Sequence, residues 1–147
     1  MKNKELEFEI IDNKILNVLD FDWCIKDIEM IYISHSYMDK SQYTICVSTG
    51  WETSELYYKT RDEIVIANRF EKLCQELNKV NPNFKMYFPR CFNMTKIKDI
   101  KQSKNLLSNR INIEFKSGES VEFKATKSTA KKLFTDKELI DNVNIEL

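Results

Sequence analysis

At 147 residues the chain has the length of one domain or two very small ones, and its 42% hydrophobic and 12% aromatic content excludes wholesale disorder. Lys and Arg total 23 against 23 Asp and Glu, so no global charge marks a nucleic-acid or membrane binder. The 2 glycines, Gly50 and Gly118, lie too far apart to build a phosphate loop or dinucleotide fingerprint, and the single His35 offers no paired-histidine zinc site.

Met1-Lys2-Asn3-Lys4-Glu5-Leu6-Glu7 alternates charge with no apolar run, so no secretory leader is visible. No stretch approaches the ~18 apolar residues of a spanning helix, which predicts a cytoplasmic protein with no membrane partner. Leu6 to Leu19 alternates around an Asp12-Asn13-Lys14 turn and reads as a hairpin. Asp20-Phe21-Asp22 follows as a loop before Trp23. Two carboxylates at that spacing suit a turn or cap better than a cation, so no metal is expected. Cys24, Cys46, Cys74 and Cys91 contain no Cys-x-x-Cys pair and read as small core residues in a reducing compartment.

Ile25-Lys26-Asp27-Ile28 recurs as Ile97-Lys98-Asp99-Ile100, an offset of 72. The first copy leads to Tyr43-Thr44-Ile45-Cys46-Val47, Gly50, and Glu55-Leu56-Tyr57-Tyr58-Lys59. The second leads to Ile111-Asn112-Ile113-Glu114-Phe115, Gly118, and Ser120-Val121-Glu122-Phe123-Lys124. Period-two alternation on either side of each Gly predicts a hairpin in each unit.

The connections between the strands differ between the two units, and a second job would be added there. His35-Ser36-Tyr37-Met38-Asp39-Lys40-Ser41 is richer in aromatic and sulfur groups than Leu106-Leu107-Ser108-Asn109. Tyr37 and Met38 either form an exposed adhesive tip or close the end of the core. His35 has no neighbouring nucleophile or carboxylate motif that would make it a general base, and pairing with Cys24 or Cys46 would need tertiary proximity. At the turn, Gly50-Trp51-Glu52-Thr53 replaces Gly118-Glu119-Ser120. Trp51, beside Glu52, is hard to bury within its own hairpin and becomes a candidate contact residue.

Thr60-Arg61-Asp62-Glu63 fits a capping box with Thr60 as the cap. Ile66, Phe70, Leu73, Cys74 and Leu77 then recur at helical spacing until Asn81-Pro82-Asn83 stops the helix. Phe84 to Phe88 reads as a strand that ends at Pro89 or lies on an edge. In the second unit Thr126 holds the position of Thr60, and Ala130, Leu133 and Phe134 begin a shorter stripe. Thr135-Asp136-Lys137-Glu138 would break or restart that helix.

The elements predict an α+β fold: a duplicated strand-rich unit, each an antiparallel hairpin followed by a helix, with the helices packed on mainly antiparallel sheet. Residues 1–80 and 81–147 form the two units, expected to share one compact, two-lobed globule. Charge divides with them. The first carries 10 basic and 15 acidic side chains, the second 13 and 8. Lys96, Lys98, Lys101 and Lys104 lie close together and suit an anionic partner, or simply a solvated sheet face.

The run from Ile25-Lys26-Asp27-Ile28 through Tyr43-Thr44-Ile45-Cys46-Val47 and Gly50 to a capped helix ending near Leu77 resembles small hairpin-plus-helix proteins of phages and other mobile elements. Many such proteins occlude a host enzyme, including CRISPR effectors and other bacterial immune proteins. The resemblance implies a non-catalytic protein-binding module without a cofactor. Its partner would be another protein, a host defence nucleoprotein complex in the sharpest version, with Trp51, Tyr37, Met38 and Glu52 as contact residues. The alternative is a nucleic-acid binder or mimic that uses the basic second or acidic first unit.

Overall fold

A computed structural model describes residues 8–50, 52–56, 59–105 and 108–146. It is an α+β fold of antiparallel sheets and two helices, divided into compact units of residues 1–92 and 93–147 rather than at 80/81. None of the described helices is long and apolar enough to cross a membrane.

The first unit opens with β1 (Phe8–Ile11), β2 (Ile15–Val18) and β3 (Phe21–Cys24), paired in that order. Asp12 and Asn13 both adopt positive φ, 53° and 56°, and Lys14 N donates to Ile11 O at 3.0 Å. That is the short hairpin turn whose twist matches the strands, and Asp and Asn tolerate it. The Asp20-Phe21-Asp22 segment corrects the loop expectation, because residues 21–24 form β3. Its register sets Asn17 opposite Asp22, and Asn17 Nδ2 donates to Asp22 Oδ1 at 2.7 Å. A cross-strand bond of this kind holds the strand that a loop reading leaves out.

A 3-10 turn, Ile25–Asp27, leads to β4 (Met30–His35), β5 (Tyr43–Ser48) and the short β6 (Thr53–Glu55). Helix α1 (Glu63–Val80) follows, then β7 (Phe84–Tyr87) and β8 (Arg90–Asn93). The five strands order as β6-β5-β4-β8-β7, so β7 is an edge. Residues 84–92 therefore complete the first unit's sheet, through antiparallel pairing of β8 with β4.

The apolar stripe of α1 is buried as its spacing predicts: Ile66, Phe70, Leu73, Cys74 and Leu77 pack with Ile31, Ile45, Val47, Leu56, Phe84 and Cys91. Each fully buried large side chain contributes about 1.5–3 kcal/mol. The helix start corrects the sequence reading. Asp62, not Thr60, is the N-cap, accepting from Ile64 N at 2.9 Å and Val65 N at 3.3 Å. Thr60 instead accepts from Asp62 N at 3.1 Å, and its backbone bridges to Tyr43, which keeps it extended.

In the second unit a 3-10 turn, Met94–Lys96, precedes β9 (Ile97–Asn105), β10 (Ser108–Phe115), β11 (Ser120–Ala125) and α2 (Lys127–Glu146). The sheet order is β11-β10-β9. Ile111, Ile113 and Phe115 are buried while Asn112 and Glu114 alternate with them, and Ala130, Leu133 and Ile140 of α2 are buried too. Thr126 Oγ1 accepts from Thr129 N at 3.2 Å at the helix start. The expected break at Thr135 does not occur: its hydroxyl donates to Lys131 O at 2.9 Å, satisfying itself within the helix.

The tetrapeptide repeat also needs correction. Its first copy supplies the 3-10 turn Ile25–Asp27, whereas its second copy opens strand β9. The element that matches Ile25–Asp27 in chain order is Met94–Lys96. Gly50 and Gly118 do share a role, both at positive φ, 93° and 96°, in the turns after β5 and β10.

Candidate functional site

The segment between β4 and β5, residues 36–42, is wired from both ends. Ser36 is 1% exposed; its N–H donates to Gln42 O at 2.9 Å, and its hydroxyl donates to Glu55 Oε2 at 3.2 Å. Tyr37 N donates to the other oxygen, Glu55 Oε1, at 2.7 Å, and Met38 N donates to Ser36 Oγ at 3.3 Å. Lys59 Nζ lies 3.7 Å from Glu55 Oε2. One carboxylate on β6 thus anchors the ascending side of the loop, and bonds to a charged acceptor are the stronger kind.

Asp39 organises the descending side. Its Oδ1 accepts from Ser41 N at 3.0 Å and Ser41 Oγ at 2.6 Å, and its Oδ2 accepts from Gln42 Nε2 at 3.1 Å. Gln42 N closes the turn onto Asp39 O at 3.0 Å. The Ser41 hydroxyl foremost, then the Ser41 N–H, Gln42 and Arg61, hold the Asp39 carboxyl down at about 2. Asp-x-Ser is a local signature of such a turn.

With the backbone fixed in this way, two large side chains are left in solvent: Tyr37 is 84% and Met38 86% exposed. The start of α1 stands at the same end of the unit. Tyr43 N donates to Thr60 O at 2.6 Å, Tyr43 Oη donates to Glu63 Oε1 at 2.6 Å, and Arg61 Nη2 lies 3.6 Å from Asp39 Oδ2. The bond to Glu63, then burial and the Glu63 charge, raise the Tyr43 hydroxyl. Ile64, in the first turn of α1, is 71% exposed. Nothing in the sequence pattern joins Glu55 to Ser36 and Tyr37, or Glu63 to Tyr43. The joining contacts span from 18 to 20 positions.

Of the other candidates, Trp51 lies outside the described residues. Glu52 is exposed, and its carbonyl closes the turn by accepting from Thr49 N at 3.0 Å. His35 tilts against Tyr43, ring centroids 4.8 Å apart. Cys46 is 3% exposed beside Tyr32, its opposite number on β4. Burial foremost, with the Glu55 charge, pushes its thiol up to about 11 against the opposing Tyr32 bond, so a thiolate nucleophile is disfavoured there. Burial likewise pushes the Tyr32 hydroxyl up to about 12. Cys74 and Cys91 are buried free thiols, and Cys24 is exposed. Among the described residues no group of three or more His, Cys, Asp or Glu gathers for a metal.

Two of the four lysines of the candidate basic patch neighbour a carboxylate. Lys98 Nζ is 3.4 Å from Glu114 Oε1, Lys101 Nζ is 3.9 Å from Asp99 Oδ2, and Lys96 is half-buried. The Lys104 side chain lies outside what is described. The sequence matches no protein-family model, and no curated protein matches it either.

Proposed function

We propose that the protein is a non-catalytic protein-binding module whose contact surface is the 36–42 loop, and that it inhibits a bacterial defence protein of the CRISPR type on behalf of a phage or mobile element. The carrying observation is the pairing of a loop hydrogen-bonded through the N–H groups of Ser36, Tyr37, Met38, Ser41 and Gln42 with Tyr37 and Met38 at 84% and 86% exposure. A fixed backbone lowers the ordering cost of association, and Tyr is enriched among residues that dominate binding energy. Ile64, 71% exposed in the first turn of α1, is a further candidate contact, as are Trp51 and Glu52. The action is steric occlusion in the cytoplasm. The nucleic-acid alternative is weaker, since Lys98 and Lys101 each already neighbour a carboxylate.

We also take the chain to be an internal duplication. A 3-10 turn, three strands and a helix occur twice in chain order, with Ile25–Asp27 matched to Met94–Lys96.

The test is affinity capture from bacterial lysate with the wild type and a Tyr37→Ala/Met38→Ala variant, followed by mass spectrometry and an activity assay on the captured protein. A defence protein held and inhibited by the wild type and released by the variant is expected. Equal capture by both, or capture without inhibition, contradicts the proposal.

A further inference from the structure

Among the described strands, β11 is an edge of the second unit's sheet and pairs with β10 on its inner side. The opposite edge, β9, is guarded: its pairing with β10 shifts register between Glu114 and Phe115, Lys98 and Lys101 are exposed along it, and Lys137 of α2 reaches Asp99 at 3.5 Å. Bulges, lysines and covering helices are the usual means of preventing edge pairing. β11 has a regular register with β10, no proline, and no inward charge; Val121, Phe123 and Ala125 occupy the half-buried face.

The phase of its backbone follows from the turn. Phe115 N donates to Glu119 O at 2.8 Å, so alternate residues Glu119, Val121 and Phe123 direct their peptide groups to β10. Ser120, Glu122 and Lys124 therefore direct theirs to the open edge. The run Val121-Glu122-Phe123-Lys124-Ala125 is complementary to itself when reversed: apolar, negative, aromatic, positive, apolar.

We propose that β11 pairs antiparallel with β11 of a second copy of this chain, about a two-fold axis through Phe123. In that register Glu122 of each copy lies opposite Lys124 of the other, and Val121 lies opposite Ala125. The two Glu122–Lys124 positions are the ones whose peptide N–H and C=O groups face outward, so both the backbone bonds and the charge pairs form at the same residues. An isologous contact closes after two subunits and does not propagate. It also resolves a feature of the single chain: Lys124 sits directly opposite Arg110 on β10, an unfavourable like-charge pair. Glu122 reaches Arg110 at 3.6 Å, but both side chains stay about half exposed, 45% and 47%, leaving the carboxylate accessible to a second cation. This proposal is independent of the 36–42 loop.

Sedimentation velocity of the full chain across a micromolar-to-millimolar dilution series tests it. The wild type is expected to shift from two-chain to one-chain mass on dilution. Lys124→Glu alone and Glu122→Lys alone should each be monomeric throughout while keeping the wild-type circular dichroism. An equimolar mixture of the two variants restores both charge pairs across the interface and should recover the two-chain species. A monomeric wild type at every concentration, a single variant that still dimerises, or a mixture that stays monomeric overturns the proposal.

Discussion

Tyr37 and Asp39 show how a single side chain is made available or made rigid. Tyr37 gives its backbone N–H to Glu55 at 2.7 Å while its side chain stays 84% exposed, where a partner can reach it. Tyr37→Ala should weaken a protein complex by about 2 kcal/mol or more, as hot-spot truncations do. The same change should leave unfolding free energy within about 0.5 kcal/mol of wild type, the usual range for an exposed site. Titration calorimetry and urea denaturation separate the two effects. Asp39 predicts a pH response whose sign follows from its lowered carboxyl. Its ordinary value of 3.8 falls to about 2 in the folded chain, so its contribution to the loop is complete above 3.8 and is lost as pH falls through about 2. The amide resonances of Ser41 and Gln42 should hold their positions from neutral pH to below 3.8 and move only near 2. Movement centred at 3.8 would show that the carboxylate is not engaged.

At the scale of elements, α1 tests cap and core separately. Asp62→Ala removes the acceptor for two N–H groups and should cost about 1 kcal/mol, within the 0.5–2 range of cap losses. Thr60→Ala, which removes a single bond outside the helix, should cost less; a larger loss from Thr60 would return the cap to the sequence expectation. Phe70 is 0% exposed at the centre of the stripe, and Phe70→Ala should cost about 3–5 kcal/mol. Here the sequence was readable in one respect and misleading in another. The stripe of α1 is a periodic signal repeated over several turns, so its burial follows from spacing alone. The cap is one residue in a Thr-x-Asp-Glu run with two competent acceptors, and the choice depends on Tyr43 holding Thr60 in a bridge 17 positions away. β3 is not legible in the sequence because its support is cross-strand, from Asn17 to Asp22, and a pair of carboxylates reads locally as a turn. In the second unit the alternation of β10 was plain, whereas Thr135 looked like a break because its hydroxyl's bond to Lys131 O leaves no mark in the composition.

The whole molecule combines a charge-neutral composition with an uneven distribution, and ion pairing within the second unit moderates the basic half. Arg110–Glu122, Lys98–Glu114, Lys101–Asp99 and Lys137–Asp99 lie at 3.4 to 3.9 Å. These exposed pairs contribute little to stability, about 0–1 kcal/mol each, but they offset the positive field that duplex nucleic acid would require. Generic duplex DNA should therefore show no binding at low salt, and a steep salt-dependent affinity in a fluorescence anisotropy titration would contradict this. Strand-rich units followed by helices were legible from alternation and stripe. The proposed contact surface is legible in the sequence only as an unusual loop, because Glu55 and the first turn of α1 reach it through tertiary contacts. The tetrapeptide repeat does not mark equivalent elements, since the same residues serve a turn at Ile25–Asp27 and open a strand at Ile97.

Everything proposed for the loop depends on its being built before any partner arrives. Backbone 15N relaxation of the free protein measures this directly. Residues 36–42 should show order parameters of about 0.85, equal to those of β4 and β5, while the Tyr37 and Met38 side chains remain mobile. Order parameters below about 0.6 across the loop would show a flexible connection and contradict the prebuilt surface.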